Sequence, residues 1–171
     1  CYLIPHSDEF SNEFLPPYSR RLEWISGFTG SAGDIIITNK KAYLFVDGRY
    51  TIQASQEVDS NHYQILNYKD KSVLDLLSKI MKNQNVIGFD GNIEKFKKIE
   101  ILQKKLGKDI KLKPVNSNLI DLIWKNRPKK LISSPFKLPF NFHGEDKLLK
   151  IKKIIKNIKT SKKRCLYFNI M

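Results

Sequence analysis

A chain of 171 residues with 41% hydrophobic and 28% charged side chains is neither a disordered polyelectrolyte nor a membrane protein, since no apolar run approaches the roughly 18 residues that span a bilayer. Its length fits one full domain with a smaller piece beside it. The net charge of +14 raises a nucleic-acid partner, but lysine outnumbers arginine 26 to 5, and base readers and phosphate clamps favour the planar arginine fork.

Strand and helix patterns alternate along the chain, the mark of an α/β domain with helices packed on a sheet. Tyr2 to Ile4 reads as a first strand, halted by Pro5. A polar, proline-marked stretch leads to a helical turn over Arg20 to Ile25. The β-rich runs Ile35 to Thr38 and Ala42 to Val46, separated by Asn39-Lys40-Lys41, read as a hairpin. Thr51 to Val58 is expected as a helix and Tyr63 to Leu66 as a strand. Ser72 is placed to cap a helix through Met81, with Val73, Leu76, Leu77 and Ile80 on one face. Val86 to Phe89 follows as a strand. Asn92 is expected to cap a helix to Leu106, with Ile93, Phe96, Ile99 and either Leu102 or Leu106 inward and Gly107 as its left-handed terminator. Ile110 to Pro114 closes the strand series, and a last helix starts at Asn118, burying Leu119, Leu122 and Ile123, and stops before Pro128.

Pro128, Pro135 and Pro139 with little periodicity mark a linker over 128–143. Beyond it, Leu148, Ile151, Ile154, Ile155 and Ile158 form one apolar stripe opposite Lys150, Lys152, Lys153, Lys156 and Lys159, and Cys165 to Ile170 reads as a strand. One helix and one strand cannot close a core, so residues 144–171 read as the incomplete start of a second domain. The basic excess lies after residue 68 and reads as solvated lysine faces. Cys1 and Cys165 show no metal or disulfide spacing, and His6, His62 and His143 are scattered, so no metal site is read from this chain. Without a signal segment at its start, the chain is expected to be cytoplasmic.

Two motifs stand out. Ser26-Gly27-Phe28-Thr29-Gly30-Ser31-Ala32-Gly33 has glycine at every third position, but it lacks the Gly-Lys-Ser/Thr ending of a phosphate loop and runs into a strand instead of a helix. It is expected to be a tight backbone crossing that needs small residues. After the hairpin, Asp47-Gly48-Arg49-Tyr50 closes a strand and opens a helix.

Together, the glycine-rich segment and the Asp47-Gly48-Arg49-Tyr50 turn resemble the amino-terminal domain of Xaa-Pro aminopeptidases (aminopeptidase P). Asp8-Glu9-Phe10, Tyr18-Ser19-Arg20-Arg21-Leu22, Gln53-Ala54 and Asp59-Ser60-Asn61 extend the resemblance, as do Asn118-Leu119-Ile120-Asp121 with Trp124 and Arg127-Pro128, and Gly144-Glu145-Asp146-Lys147. The fold this implies is the creatinase/prolidase amino-terminal type, a mixed sheet flanked by helices with a ribonuclease H-like motif, over residues 1–127. In the family a second similar domain follows, then a pita-bread catalytic domain that holds two metal ions, usually manganese, on two Asp, two Glu and one His. On this resemblance the 171 residues are expected to reach only into the second domain and to carry no catalytic residue and no cofactor.

What the resemblance implies is a non-catalytic portion of a metallopeptidase that supports subunit packing and substrate access. Its partners would be a catalytic domain in cis or trans, a second copy in a homodimer and, in the full enzyme, proline-containing peptides; a membrane is not among them. Arg49 with Tyr50 is the expected contact to a substrate or partner carboxylate, a structural ion pair of Arg49 with Asp47 or another acid being the alternative. Gly27, Phe28, Gly30, Ser31, Gly33, Asp47, Gly48 and Trp124 are expected to be structural. Two further readings stay open: a protein- or peptide-binding module, as in the large subunit of the FACT histone chaperone, and a degenerate gene fragment.

Overall fold

The computed structural model describes residues 1–81 and 86–160. They form two units, residues 1–130 and the segment from residue 131 onward.

The first unit is built on a six-stranded sheet of order β4-β3-β2-β1-β5-β6. At its centre β1 (Tyr2–Pro5) runs antiparallel to β2 (Gly33–Ile37) and parallel to β5 (Val86–Asp90). The hairpin expected from the sequence joins β2 to β3 (Ala42–Val46), its loop fixed by Thr38 Oγ1, which accepts the N–H groups of Lys40 and Lys41. On the outer flanks, β4 (Tyr63–Asn67) pairs parallel with β3 and β6 (Lys111–Val115) parallel with β5.

Because side chains alternate along a strand, each strand feeds two cores. Ile4, Ile35 and Leu44 lie side by side on one face, under α1 (Arg21–Ser26), α2 (Thr51–Glu57) and α5 (Leu119–Ile123). Leu3 and Ile36 point to the other face, under α3 (Val73–Ile80) and α4 (Phe96–Leu106). Nearly all these side chains are fully buried, each stabilising the fold by about 1.5–3 kcal/mol.

Local signals set the helix ends. Ser72 and Asp75 form a reciprocal capping box at the start of α3. Asn118 caps α5 through its side chain, which accepts the Ile120 N–H. Expectations for α4 and α5 need correction. α4 begins at Phe96, not after Asn92: Asp90 holds the Asn92 N–H, and its carbonyl takes the N–H groups of Ile93 and Glu94 in a separate turn. Ile93 is still buried, but Phe96 is exposed. In α5 the inward residues are Ile120 and Trp124, whereas Leu119, Leu122 and Ile123 face solvent, because the helix is too short for periodicity to choose a face. Gly107 ends α4 with φ 83 but an extended ψ of 179.

The second unit contains a 3-10 turn at Phe140–Phe142 and the helix α6 (Lys147–Thr160). The apolar stripe from Leu148 to Ile158 is 39–59% exposed. The strand expected over 165–170 and the thiol of Cys165 lie outside the described residues. Among the described residues no helix is long and apolar enough to cross a membrane.

Candidate functional site

The glycine-rich segment is a cover folded over one buried ring. α1 ends at Gly27, whose φ of 79 is the left-handed conformation that glycine adopts without strain. Phe28 then turns inward and is completely buried. Gly30 crosses so close above it that a Cβ there would lie 2.2 Å from the ring, and one at Gly33 would meet the Phe45 carbonyl at 3.1 Å. The loop is anchored to α2, since Thr29 donates its N–H and its hydroxyl to the Glu57 carboxylate at 2.8 and 2.7 Å.

The second motif packs against the first. Asp47 accepts the backbone N–H and the Nε of Arg49, both at 3.0 Å, and these bonds hold its carboxyl below the usual carboxylate range. The Arg49 guanidinium lies 5.4 Å from the Tyr50 ring centroid, with the side chain 73% exposed. Tyr50 is half-buried, its hydroxyl 2.7 Å from Ser31 Oγ and its ring edge-on to Phe28 at 5.9 Å. Gly48 sits at the turn beside Asn67. Trp124 stacks on Trp24 at 5.4 Å and belongs to the same core as Phe28. The structure thus brings Phe28, Gly30, Ser31, Gly33 and Tyr50 together, joins Arg49 to Asp47, and leaves Trp124 in the core.

Two charged networks were not read from the sequence. Arg21, almost wholly buried, grips Asp121 through Nε and Nη2 at 2.7 and 3.0 Å, and Arg127 reaches the same carboxylate at 2.7 Å. This ties α1 to α5. Elsewhere, Asp34 accepts the Tyr68 hydroxyl and the Lys98 ammonium, each at 2.8 Å, and Lys98 also meets Glu94 at 3.2 Å. Burial raises the Glu94 carboxyl above its ordinary value; for Lys98 burial acts the other way, but Asp34 and Glu94 outweigh it and raise the ammonium. A cleft of about 390 Å³ lies over this group, between the chain leaving β1 and the turn after β5. Arg21, Asp121 and Arg127 all lie within recognisable motifs, but their pairing across 100 positions leaves no trace in spacing. Among the described residues no group of three or more His, Cys, Asp or Glu side chains could hold a metal ion.

A mixed sheet covered by helices on both faces, with a glycine loop closed over a phenylalanine by the turn that follows the hairpin, defines an α/β domain without a metal centre of its own among the described residues. Residues 10–124 match the model of the Creatinase/Prolidase N-terminal domain, and the chain belongs to that family. It is 34% identical over 176 residues to a probable Xaa-Pro aminopeptidase P of Laccaria bicolor, covering all of this chain and 27% of that protein. With Xaa-Pro aminopeptidase app-1 of Caenorhabditis elegans it shares 34% over 134 residues, 75% of this chain and 22% of that protein. The crystal structure of an X-prolyl aminopeptidase from Caenorhabditis elegans, described as a cytosolic enzyme with a di-nuclear active site, superposes with a TM-score of 0.81 at 32% identity, over 94% of this chain and 27% of the other. An X-Pro aminopeptidase from Thermotoga maritima, 22% identical with a TM-score of 0.52 over 94% of this chain and 37% of the other, shares the fold. The chain spans about a quarter of the length of the curated relatives it matches.

Proposed function

We propose that this chain is the non-catalytic amino-terminal portion of a metal-dependent Xaa-Pro aminopeptidase, an enzyme that releases an N-terminal residue next to proline. The supporting observation is the superposition of nearly the whole chain on 27% of an enzyme with a di-nuclear active site. The side chains described here do not fit such a metal pair, so no chemical step is assigned to them. Two metal ions, manganese in this reading, belong to the remainder of the enzyme.

The role left to this portion is positional. It packs on the catalytic domain, in cis or across a homodimer, and narrows entry to short peptides with proline second, in the cytosol. Arg49 is the contact residue of this reading. Asp47 engages its Nε, and Tyr50, itself held by Ser31, flanks the guanidinium. A guanidinium fixed in this way can take a carboxylate at little cost in side-chain entropy. Residues 1–127 would be the first domain, 128–143 the linker, and 144–171 the opening of a second similar domain.

A chimera tests the proposal. With this chain in place of the matching segment of the Caenorhabditis elegans enzyme, hydrolysis of Xaa-Pro peptides is expected to persist, and Arg49→Ala in that chimera is expected to lower kcat/KM. A folded, metal-loaded chimera without activity would count against the proposed role.

A further inference from the structure

Strands β1 and β5 are parallel neighbours, yet the chain leaving β1 goes to α1 on one face of the sheet and the chain leaving β5 goes to α4 on the other. Such a divergence opens a crevice at the carboxyl ends of the two strands, the position where open α/β sheets bind ligands. The cleft of about 390 Å³ lies there, bounded by His6 and Ser7 after β1 and by Ile93 and Glu94 after β5. Its volume falls in the range of small-molecule sites. His6, Glu13 and Ser31 also line an adjoining hollow of about 220 Å³.

We propose that this cleft binds a small ligand bearing a protonated amine, of the size of an amino-acid amide or the first residues of a peptide. The proposal does not depend on the peptidase reading.

The floor of the cleft is rigid and already satisfied. Asp34 and Glu94 share the single ammonium of Lys98, Tyr68 occupies the other oxygen of Asp34, and the Glu94 side chain is only 1% exposed. Two charges are left over at the rim, the carboxylate of Glu13 and the ammonium of Lys95, both exposed and without a side-chain ion pair among the described residues. Counting the lining charges, Glu13, Asp34 and Glu94 face Lys95 and Lys98, which leaves one negative charge uncompensated. His6 does not cancel it, because burial lowers its pKa and keeps the ring neutral. An anionic ligand would add to that excess and a neutral one would leave it in place, whereas Glu13 offers a free carboxylate to a cation. An ammonium pairs with it in a charge-assisted hydrogen bond, with the hydroxyl of Ser31 as a further acceptor.

The test is an amide ¹H–¹⁵N NMR titration of the whole chain with glycinamide and with N-acetylglycinamide, which lacks the ammonium. Neither probe contains proline, so the result is separate from that of any hydrolysis assay. Glycinamide is expected to give saturable shifts at His6, Glu13, Ser31 and Lys98, with affinity about tenfold or more above that of the acetylated probe, and Glu13→Gln is expected to remove most of that difference. Since Glu13 is exposed, the variant should keep its unfolding midpoint, which the same samples report. Equal binding of the two probes, shifts confined to other residues, no saturation, or unchanged binding by Glu13→Gln would each overturn the proposal.

Discussion

Gly30 has a position in the structure that only hydrogen can fill. Its backbone crosses the Phe28 ring closely enough that Gly30→Ala would force a methyl to within 2.2 Å of a ring atom in a fully buried side chain. Displacing that ring costs packing on the first face of the sheet, and a loss of about 2–3 kcal/mol in chemical denaturation is expected. Arg49 lies at the opposite extreme. Its pair with Asp47 is solvent-exposed and its side chain anchors no core, so Arg49→Ala should leave the unfolding midpoint of the isolated chain unchanged. A lower midpoint would make the residue structural and remove the reason to assign it a contact. The sequence leads one to expect a close backbone crossing in the glycine-rich segment, because small residues recur there without the ending of a phosphate loop. It did not show that the crossed group is Phe28 of the same motif, because the distance of closest approach is a property of the folded loop.

At the scale of elements, α3 was legible because its signals agree: a serine cap, an acid three residues later, and four apolar side chains on one face. Ser72→Ala should therefore cost about 1 kcal/mol, measurable as a lower midpoint in urea. α5 was legible in position but not in orientation. In a helix of five residues the apolar side chains Leu119, Leu122 and Ile123 gave a plausible inner face, yet the grip of Arg21 on Asp121 and the stack of Trp24 on Trp124 turn Ile120 inward instead. Tertiary contacts decide the face of so short a helix. For α6 the apolar stripe was legible, and its exposure predicts association through that face. Ending the chain after Lys130 is expected to raise solubility and give a monomer by sedimentation, while unchanged self-association would show that the stripe is not its cause.

For the whole molecule, the alternation of strands and helices could be read from the pattern, and so could the family resemblance. The strand order could not. The central place of β1, and the switch it creates beside β5, depend on pairings between distant segments, as does the meeting of Asp34 with Lys98 across 64 positions. Those same long-range contacts shape the pH response. Burial opposes ionisation of Asp8, but hydrogen bonds from Asn12 and Phe10 outweigh it and hold its pKa low; Asp47, Asp59 and Asp75 are held low by bonds from Arg49, Asn61 and His62, and Ser72. A carboxyl whose folded pKa lies below its unfolded value contributes stability above the unfolded value, near pH 4, and loses it as pH falls through the folded one. Glu94, raised by burial, acts in the opposite sense, its contribution present below its unfolded pKa and lost as pH rises through the folded one. With these four and Glu57, whose carboxylate burial would raise but the bonds from Thr29 and Gln53 hold low, set against Glu94 raised, the unfolding midpoint should drop as pH falls from about 5 to 3. Asp8→Asn should flatten that dependence in thermal unfolding monitored by circular dichroism.

In the function proposed, this portion carries structure and contacts but not the chemistry of peptide cleavage. The direct measurement is hydrolysis of an Xaa-Pro peptide by the isolated chain with added manganese, against manganese alone. No turnover above that background is expected. Saturable release of the N-terminal residue by the purified chain, abolished by a chelator, would show that this portion is itself a catalyst.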